Sequence, residues 1–131
     1  MHNRTGVLGA LVIALAVLTG AFGAHGLKGL TNDPTIINPY ETAVQYLYWH
    51  GLAMLILWAA GDRIAERRLK VVLNFFIAGI ILFCGSLFYL TVAKIYRLDY
   101  TGLVYLTPIG GLLFVVGWLY LAFLLIGKQR N

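Results

Sequence analysis

The charges of this chain are gathered into short stretches, and the uncharged runs between them are the strongest constraint on what it can fold into. No side chain ionises from Thr5 to Ala24, and from Thr42 to Gly61 the only ionisable groups are His50 and tyrosines. Val71 to Ala93 and Tyr100 to Gly127 carry no formal charge. Each run reaches the roughly 20 residues a helix needs to cross a hydrocarbon layer about 30 Å thick. A transmembrane barrel would need strands of about 10 residues in strict alternation, which these runs lack. Hydrophobic residues make up 60% of the 131 and charged ones 11%, against roughly 45–50% and about 25% in soluble domains. A soluble core of this size leaves too much surface exposed to hide such a load. Cys84 is the only cysteine, so neither a disulfide scaffold nor a zinc module is available. The expectation is one all-α domain over 1–131, a polytopic four-transmembrane-helix bundle with spans at 5–26, 39–60, 71–93 and 108–127.

Local signals place the helix starts. Asn38-Pro39-Tyr40-Glu41 reads as an N-cap, a proline at the first helical position and a glutamate closing a capping box. Thr107-Pro108 repeats the cap and proline for the last span, and Asp33-Pro34 marks a turn or short surface helix. Basic residues are held on the cytoplasmic side. Arg4, Arg63, Arg67, Arg68, Lys70, Lys128 and Arg130 fall on the side shared by the termini, with only Lys28, Lys94 and Arg97 opposite. Both termini are therefore expected in the cytoplasm, the protein being multi-pass in the inner membrane. The first run is long enough to be retained as a span, not cleaved as a signal peptide. The sequence pI near 9.6 follows from this topology and suits anionic headgroups better than nucleic acid.

Small residues mark where helices approach in lipid. Gly6, Ala10 and Ala14 recur at four-residue spacing, as do Ala16, Gly20 and Ala24, with Gly23 close by. Gly85 and Ser86 stand in the third run, and Gly110, Gly111 and Gly117 in the fourth. At about 1.5 Å per residue, Gly20, Ser86 and Gly111 all lie roughly 24–25 Å above the cytoplasmic charges. This predicts a bundle pinched in its outer half around Gln45 and Tyr46 of the second span.

The polar residues supply two candidate sites and no catalytic or metal-binding set. His50 lies about 18 Å above Asp62, near mid-membrane, and shares a helical face with Tyr46 and Thr42. With Gln45 and Ser86 these form a candidate intramembrane site, because ionisable groups at that depth usually face the bundle interior. Two readings stand there: proton handling or haem or metal ligation by the imidazole, or a neutral histidine tying helices together. The second candidate lies at the outer surface, where His25 would face Glu41, itself otherwise explained by its cap. Cys84 reads as packing. Tyr89, Tyr96, Tyr100 and Tyr105 near the outer surface, with Trp58 and Trp118 nearer the inner one, read as interfacial or packing aromatics. No phosphate-cradling glycine loop, i, i+4 histidine pair or nucleophile elbow occurs in the chain.

Four motifs carry a family resemblance. Gly20-Ala-Phe-Gly-Ala-His-Gly-Leu27, Glu41-Thr-Ala-Val44 with Tyr46 and His50, Gly85-Ser-Leu87, and Thr107-Pro-Ile-Gly-Gly111 with Gly117-Trp118 appear in order over nearly the whole chain. Together they resemble the membrane family known as domain of unknown function 423, with the transmembrane protein 256 group. The resemblance implies a four-helix inner-membrane protein, bacterial or mitochondrial, and supplies no catalytic residue to carry over. The family's recurrent positions match His25, Glu41, Thr42, Tyr46, His50, Ser86 and Pro108. Gln45 stands where many members have a basic residue, Leu47 where they have glutamine, and Phe88 where they have tyrosine. The resemblance therefore implies a thinner polar network here.

The functional expectation is a non-enzymatic accessory or scaffold subunit that packs in the bilayer against another membrane protein or its own copies. The alternative is a binding protein or conduit for a small hydrophobic molecule, quinone or lipid, on the His50–Tyr46 face. A haem- or redox-linked subunit is the third reading. No cofactor and no nucleic-acid partner is expected.

Overall fold

The computed structural model describes residues 2–128, which places Arg130 outside the described residues. The chain is built from four long helices. The first, α1, covers 2–30: α-helical over His2–Phe22, π-helical over Gly23–Leu27, then closed by Lys28–Leu30. The second, α2, is Pro34–Ala59. The third, α3, covers 66–96 and is likewise interrupted, with a π segment Ile80–Cys84 between Glu66–Gly79 and Gly85–Tyr96. The fourth, α4, is Leu106–Lys128, entered through a 3₁₀ turn Leu103–Tyr105.

Three of these helices, α1, α3 and α4, are long and apolar enough to cross a membrane. The remaining one, α2, holds the polar residues Glu41, Gln45 and His50 and is the hub of the packing. It lies along α1 on one side and α3 on another, and α4 reaches it through Phe114 and Trp118. Three buried clusters run along the molecule. Leu27, Tyr40 and Val44 join α1 to α2 at one end. Ala16, Leu47 and Cys84 join α1, α2 and α3 in the middle. Met54, Phe76 and Phe114 join α2, α3 and α4 towards the other end.

The second helix starts earlier than its sequence signals suggest. Asp33 is the N-cap: its carboxylate accepts the Thr35 N–H at 2.8 Å, and Pro34 takes the first helical position. Asn38-Pro39 is thus no cap, and Glu41 sits well inside the helix without a capping role. Pro39 has no N–H, so the Thr35 carbonyl one turn earlier lacks its intrahelical donor. The Lys94 ammonium of α3 donates to that carbonyl at 2.8 Å, so the proline is tolerated and also ties α2 to α3. Thr107 is likewise inside α4 instead of capping it. Gly61 ends α2 at φ +63°, while Arg97 ends α3 in the left-handed region, with the Leu98 N–H closing back on the Ala93 carbonyl at 2.8 Å.

Close approaches at glycine form two pairwise seams, not one shared pinch. In the α1–α2 seam, a side chain at Gly9 would meet the Gly51 carbonyl and Leu55, one at Gly20 would touch Val44, and one at Gly23 would strike the Tyr40 ring. In the α3–α4 seam, a Cβ at Gly110 would fall on the backbone of Phe83, and one at Gly117 would meet Phe75 and Phe76. Gly111 makes only ordinary contact distance with Phe83. Gly85 is the correction: it is exposed and a side chain there would meet nothing within 4 Å. The π segment just before it widens the helix, so a face counted at 3.6 residues per turn no longer holds. Ala10, Ala14 and Ala24 are also exposed, and the buried line on α1 runs through Thr5, Gly9, Ala16, Gly23 and Leu27.

Candidate functional site

His50 is 2% exposed and stands where α2, α3 and α4 meet. Its ring stacks on Phe114 of α4 with centroids 3.7 Å apart and planes 18° from parallel. The ring of Phe76 of α3 meets it in a T-shaped contact with centroids 5.0 Å apart. The indole Nε1 of Trp118 lies 3.2 Å from His50 Nε2. Because an indole N–H can only donate, Nε2 is the acceptor and the proton sits on Nδ1. Nδ1–H then donates to the Tyr46 carbonyl one turn back, at 2.8 Å. Both ring nitrogens of a neutral imidazole are thus committed. Ligating a metal or haem through Nε2 would require giving up the Trp118 bond and turning the ring out of its stack.

Tyr46 contributes its carbonyl and its ring. The ring lies 4.3 Å from that of Phe83 and 5.6 Å from that of Phe114, centroid to centroid, in a cluster lining the space between α2 and α4. An open groove of about 390 Å³ runs beside it, bounded by Tyr46, Trp49, His50, Gly111, Phe114 and Trp118. It continues downward along Leu52, Ile56 and Leu121.

The other members of the expected intramembrane site do not join His50. Thr42 donates to its own helix, to the Asn38 carbonyl at 2.9 Å. Gln45 is exposed and lines a different groove, between α1 and α2. Ser86 bonds the Thr107 hydroxyl at 2.7 Å and the Phe83 carbonyl at 2.9 Å, which fixes the start of α4 on α3. Cys84 is buried, its Sγ 3.5 Å from the Ala43 carbonyl, as a packing residue. The expected site therefore does not assemble: His50 bonds Trp118 of α4 and Ser86 bonds Thr107 at the start of α4, while Thr42 bonds within α2.

The outer pair changes partners as well. Glu41 pairs with Lys28 at 3.2 Å, both about half exposed, while His25 is exposed and does not engage it. The longer lysine stem, one turn beyond His25, reaches the carboxylate. Tyr40, from the same turn as Glu41, donates its hydroxyl to the Thr19 carbonyl at 2.5 Å and closes α1 onto α2.

Sequence reasoning missed the α4 half of the site. The sequence reads Trp118 as an interfacial or packing aromatic, yet it also supplies the donor that sets the tautomer of His50. Counting depth reveals it: Trp118 lies about 15 Å from Lys128 and His50 about 18 Å from Asp62, close to one level. Outside the helices, the Thr35 backbone N–H followed by its side chain holds the Asp33 carboxyl below the usual carboxylate value. The Thr101 hydroxyl and then its N–H do the same for Asp99. Among the described residues no group of three or more histidine, cysteine or acidic side chains is placed to hold a metal ion.

Comparison with known proteins places this geometry among membrane proteins. The family model described as protein of unknown function (DUF423) matches residues 19–111, which include the whole of α2 and α3. A UPF0382 membrane protein of Staphylococcus aureus (strain bovine RF122) is 43% identical over 88% of both chains. One from Staphylococcus epidermidis is 40% identical over the same shares. The UPF0382 membrane protein YwdK of Bacillus subtilis is 36% identical over 86% of this chain and 88% of its own. No solved structure matches.

Proposed function

This chain belongs to the DUF423 family, an integral membrane protein by its relatives and its helices, and from that premise we propose that it is a non-enzymatic accessory or scaffold subunit of the inner membrane. It spans four times, with α2 as the polar-cored fourth crossing and both termini in the cytoplasm, and it docks on a larger membrane assembly or on its own copies. The observation that carries the reading is the saturation of His50: Nδ1–H is tied back to the Tyr46 carbonyl of its own helix, Nε2 accepts from Trp118 of α4, and the ring packs on Phe114 of α4 and Phe76 of α3. What remains beside it is an apolar face, where Trp49, Ile56, Leu112 and Leu119 are 54%, 68%, 62% and 66% exposed. Such a face fits another helix better than a reactant.

The test is native mass spectrometry of protein extracted in mild detergent, joined to cross-linking in intact membranes. The expected result is a defined oligomer or a stoichiometric membrane partner, lost in Trp49→Ala/Ile56→Ala. A monomer under every condition, with no cross-linked partner, overturns the subunit reading. Cysteine labelling from outside the cell should leave position 67 unreacted; external labelling there overturns the orientation.

The α2–α4 groove favours a second reading, binding of a quinone or lipid tail against Tyr46, Phe114 and Trp118. Solvent extraction of the purified protein decides it: a stoichiometric quinone, lost in Gly111→Leu, would move the function to this groove.

A further inference from the structure

A further groove lies between α1 and α3, at the end where the 61–65 connection runs. Its floor is apolar, formed by Leu8, Leu73 and Ile77, and its volume is about 180 Å³. Its mouth is polar: Arg4 and Thr5 come from α1, and Glu66, Lys70 and Asn74 follow one another at four-residue spacing along α3. Glu66 is engaged with Lys70 at 3.7 Å. Arg4 and Asn74 bond to no other described residue. Thr5 is 4% exposed, lines the groove and makes no side-chain hydrogen bond among the described residues.

We propose that this groove is a binding site for one anionic phospholipid, with its phosphate on Arg4 and Lys70 and an acyl chain laid along Leu8, Leu73 and Ile77. The inference rests on the membrane placement of the helices and not on the scaffold role. Two cations against one carboxylate leave the mouth one positive charge in excess, which a phosphodiester neutralises and a zwitterionic headgroup does not. A phosphate oxygen accepts well from guanidinium, ammonium, amide and hydroxyl donors, and the Thr5 hydroxyl at the groove is one further donor. The floor selects lipid over free phosphate, because Ile77 lies about 10 Å further along the helix than Lys70, beyond the reach of a bare anion. Asn74, a polar residue one turn inside an otherwise apolar run, marks the depth to which the headgroup reaches.

The experiment is native mass spectrometry of the full chain from detergent micelles doped with phosphatidylglycerol, phosphatidylcholine, or inorganic phosphate. One retained phosphatidylglycerol is expected in preference to phosphatidylcholine, by on the order of fivefold for each basic side chain engaged. Arg4→Gln/Lys70→Gln should bring the two lipids to equal retention. Arg67→Gln/Arg68→Gln, which removes two charges of the same region outside the groove, should keep the preference. Leu8→Trp, which fills the floor and leaves the charges in place, should lose the retained lipid while the protein remains folded by circular dichroism. The proposal is overturned if the two double variants behave alike, if Leu8→Trp still retains the lipid, or if inorganic phosphate displaces phosphatidylglycerol at equal concentration.

Discussion

Replacing Lys94 by methionine tests whether Pro39 creates the tie between α2 and α3. The lysine donates at 2.8 Å to the Thr35 carbonyl, whose natural partner would be the amide that proline lacks. A hydrogen bond from a charged donor is generally worth about 1.5–3 kcal/mol. This one is exposed, so water competes for both groups and about 1 kcal/mol is the expected loss in Lys94→Met. In a Pro39→Ala background the carbonyl regains an amide partner, and the same lysine substitution should cost only about 0.3 kcal/mol. The double-mutant cycle should therefore show a coupling of roughly 0.7 kcal/mol between positions 39 and 94. One rival term exists, since Lys94 also attracts the exposed Asp33 carboxylate, though this is the smallest influence on that group. Unfolding in dodecylmaltoside–SDS mixtures at about 0.5 M salt suppresses that attraction and leaves the hydrogen bond. Equal costs for Lys94→Met in the two backgrounds would refute the argument, because the lysine would then be reading something other than the stranded carbonyl.

Three further outcomes follow from the packing and the caps. His50→Ala should cost about 2–4 kcal/mol through the cavity left among Phe76, Phe114 and Trp118, and Trp118→Phe nearer 1 kcal/mol for the lost donor; the same unfolding assay ranks them, and the reverse order contradicts a structural imidazole. Gly110→Ala should destabilise by about 1–3 kcal/mol because its methyl would land on the Phe83 backbone, whereas Gly85→Ala should be neutral or stabilise by up to about 1 kcal/mol on helix propensity alone. The carboxyls of Asp33 and Asp99 are held below their usual 3.8 in the folded protein by bonds from Thr35 and Thr101, so their contribution is present above about pH 4 and fades as pH falls through the lower folded values. Unfolding measured from pH 6 to about 2.5 should show this loss flattened in Asp33→Ala/Asp99→Ala, and an unchanged acid profile would contradict it.

Part of the architecture was legible because hydropathy and charge add up along the chain. The uncharged runs became long helices, and His50, the chief site candidate of the sequence, is buried with both ring nitrogens hydrogen-bonded. Helix starts were less legible where two signals compete. Asp33-Pro34 and Asn38-Pro39 offer the same cap and proline five residues apart, and nothing local says that Lys94 will rescue the carbonyl stranded by the second proline. Where the helix is regular, at Gly20, Gly110 and Gly117, the glycines do face a neighbouring helix. At Gly85 the reading failed, because the π segment at Ile80–Cys84 departs from 3.6 residues per turn.

The amino-acid order by itself determined that this chain is helical, apolar and membrane-borne, since those properties are sums over neighbouring residues that no partner can reverse. Only the tertiary structure decided which polar group answers which: Trp118 for His50, Lys28 for Glu41, Thr107 for Ser86 and Lys94 for Thr35. Those pairings depend on the rotation and sliding of one helix against another. Rotation is set jointly by glycine contacts, aromatic volumes and π insertions on both members of a pair. A one-dimensional reading sees each helix alone, and a hydrogen bond between two helices belongs to neither of them separately.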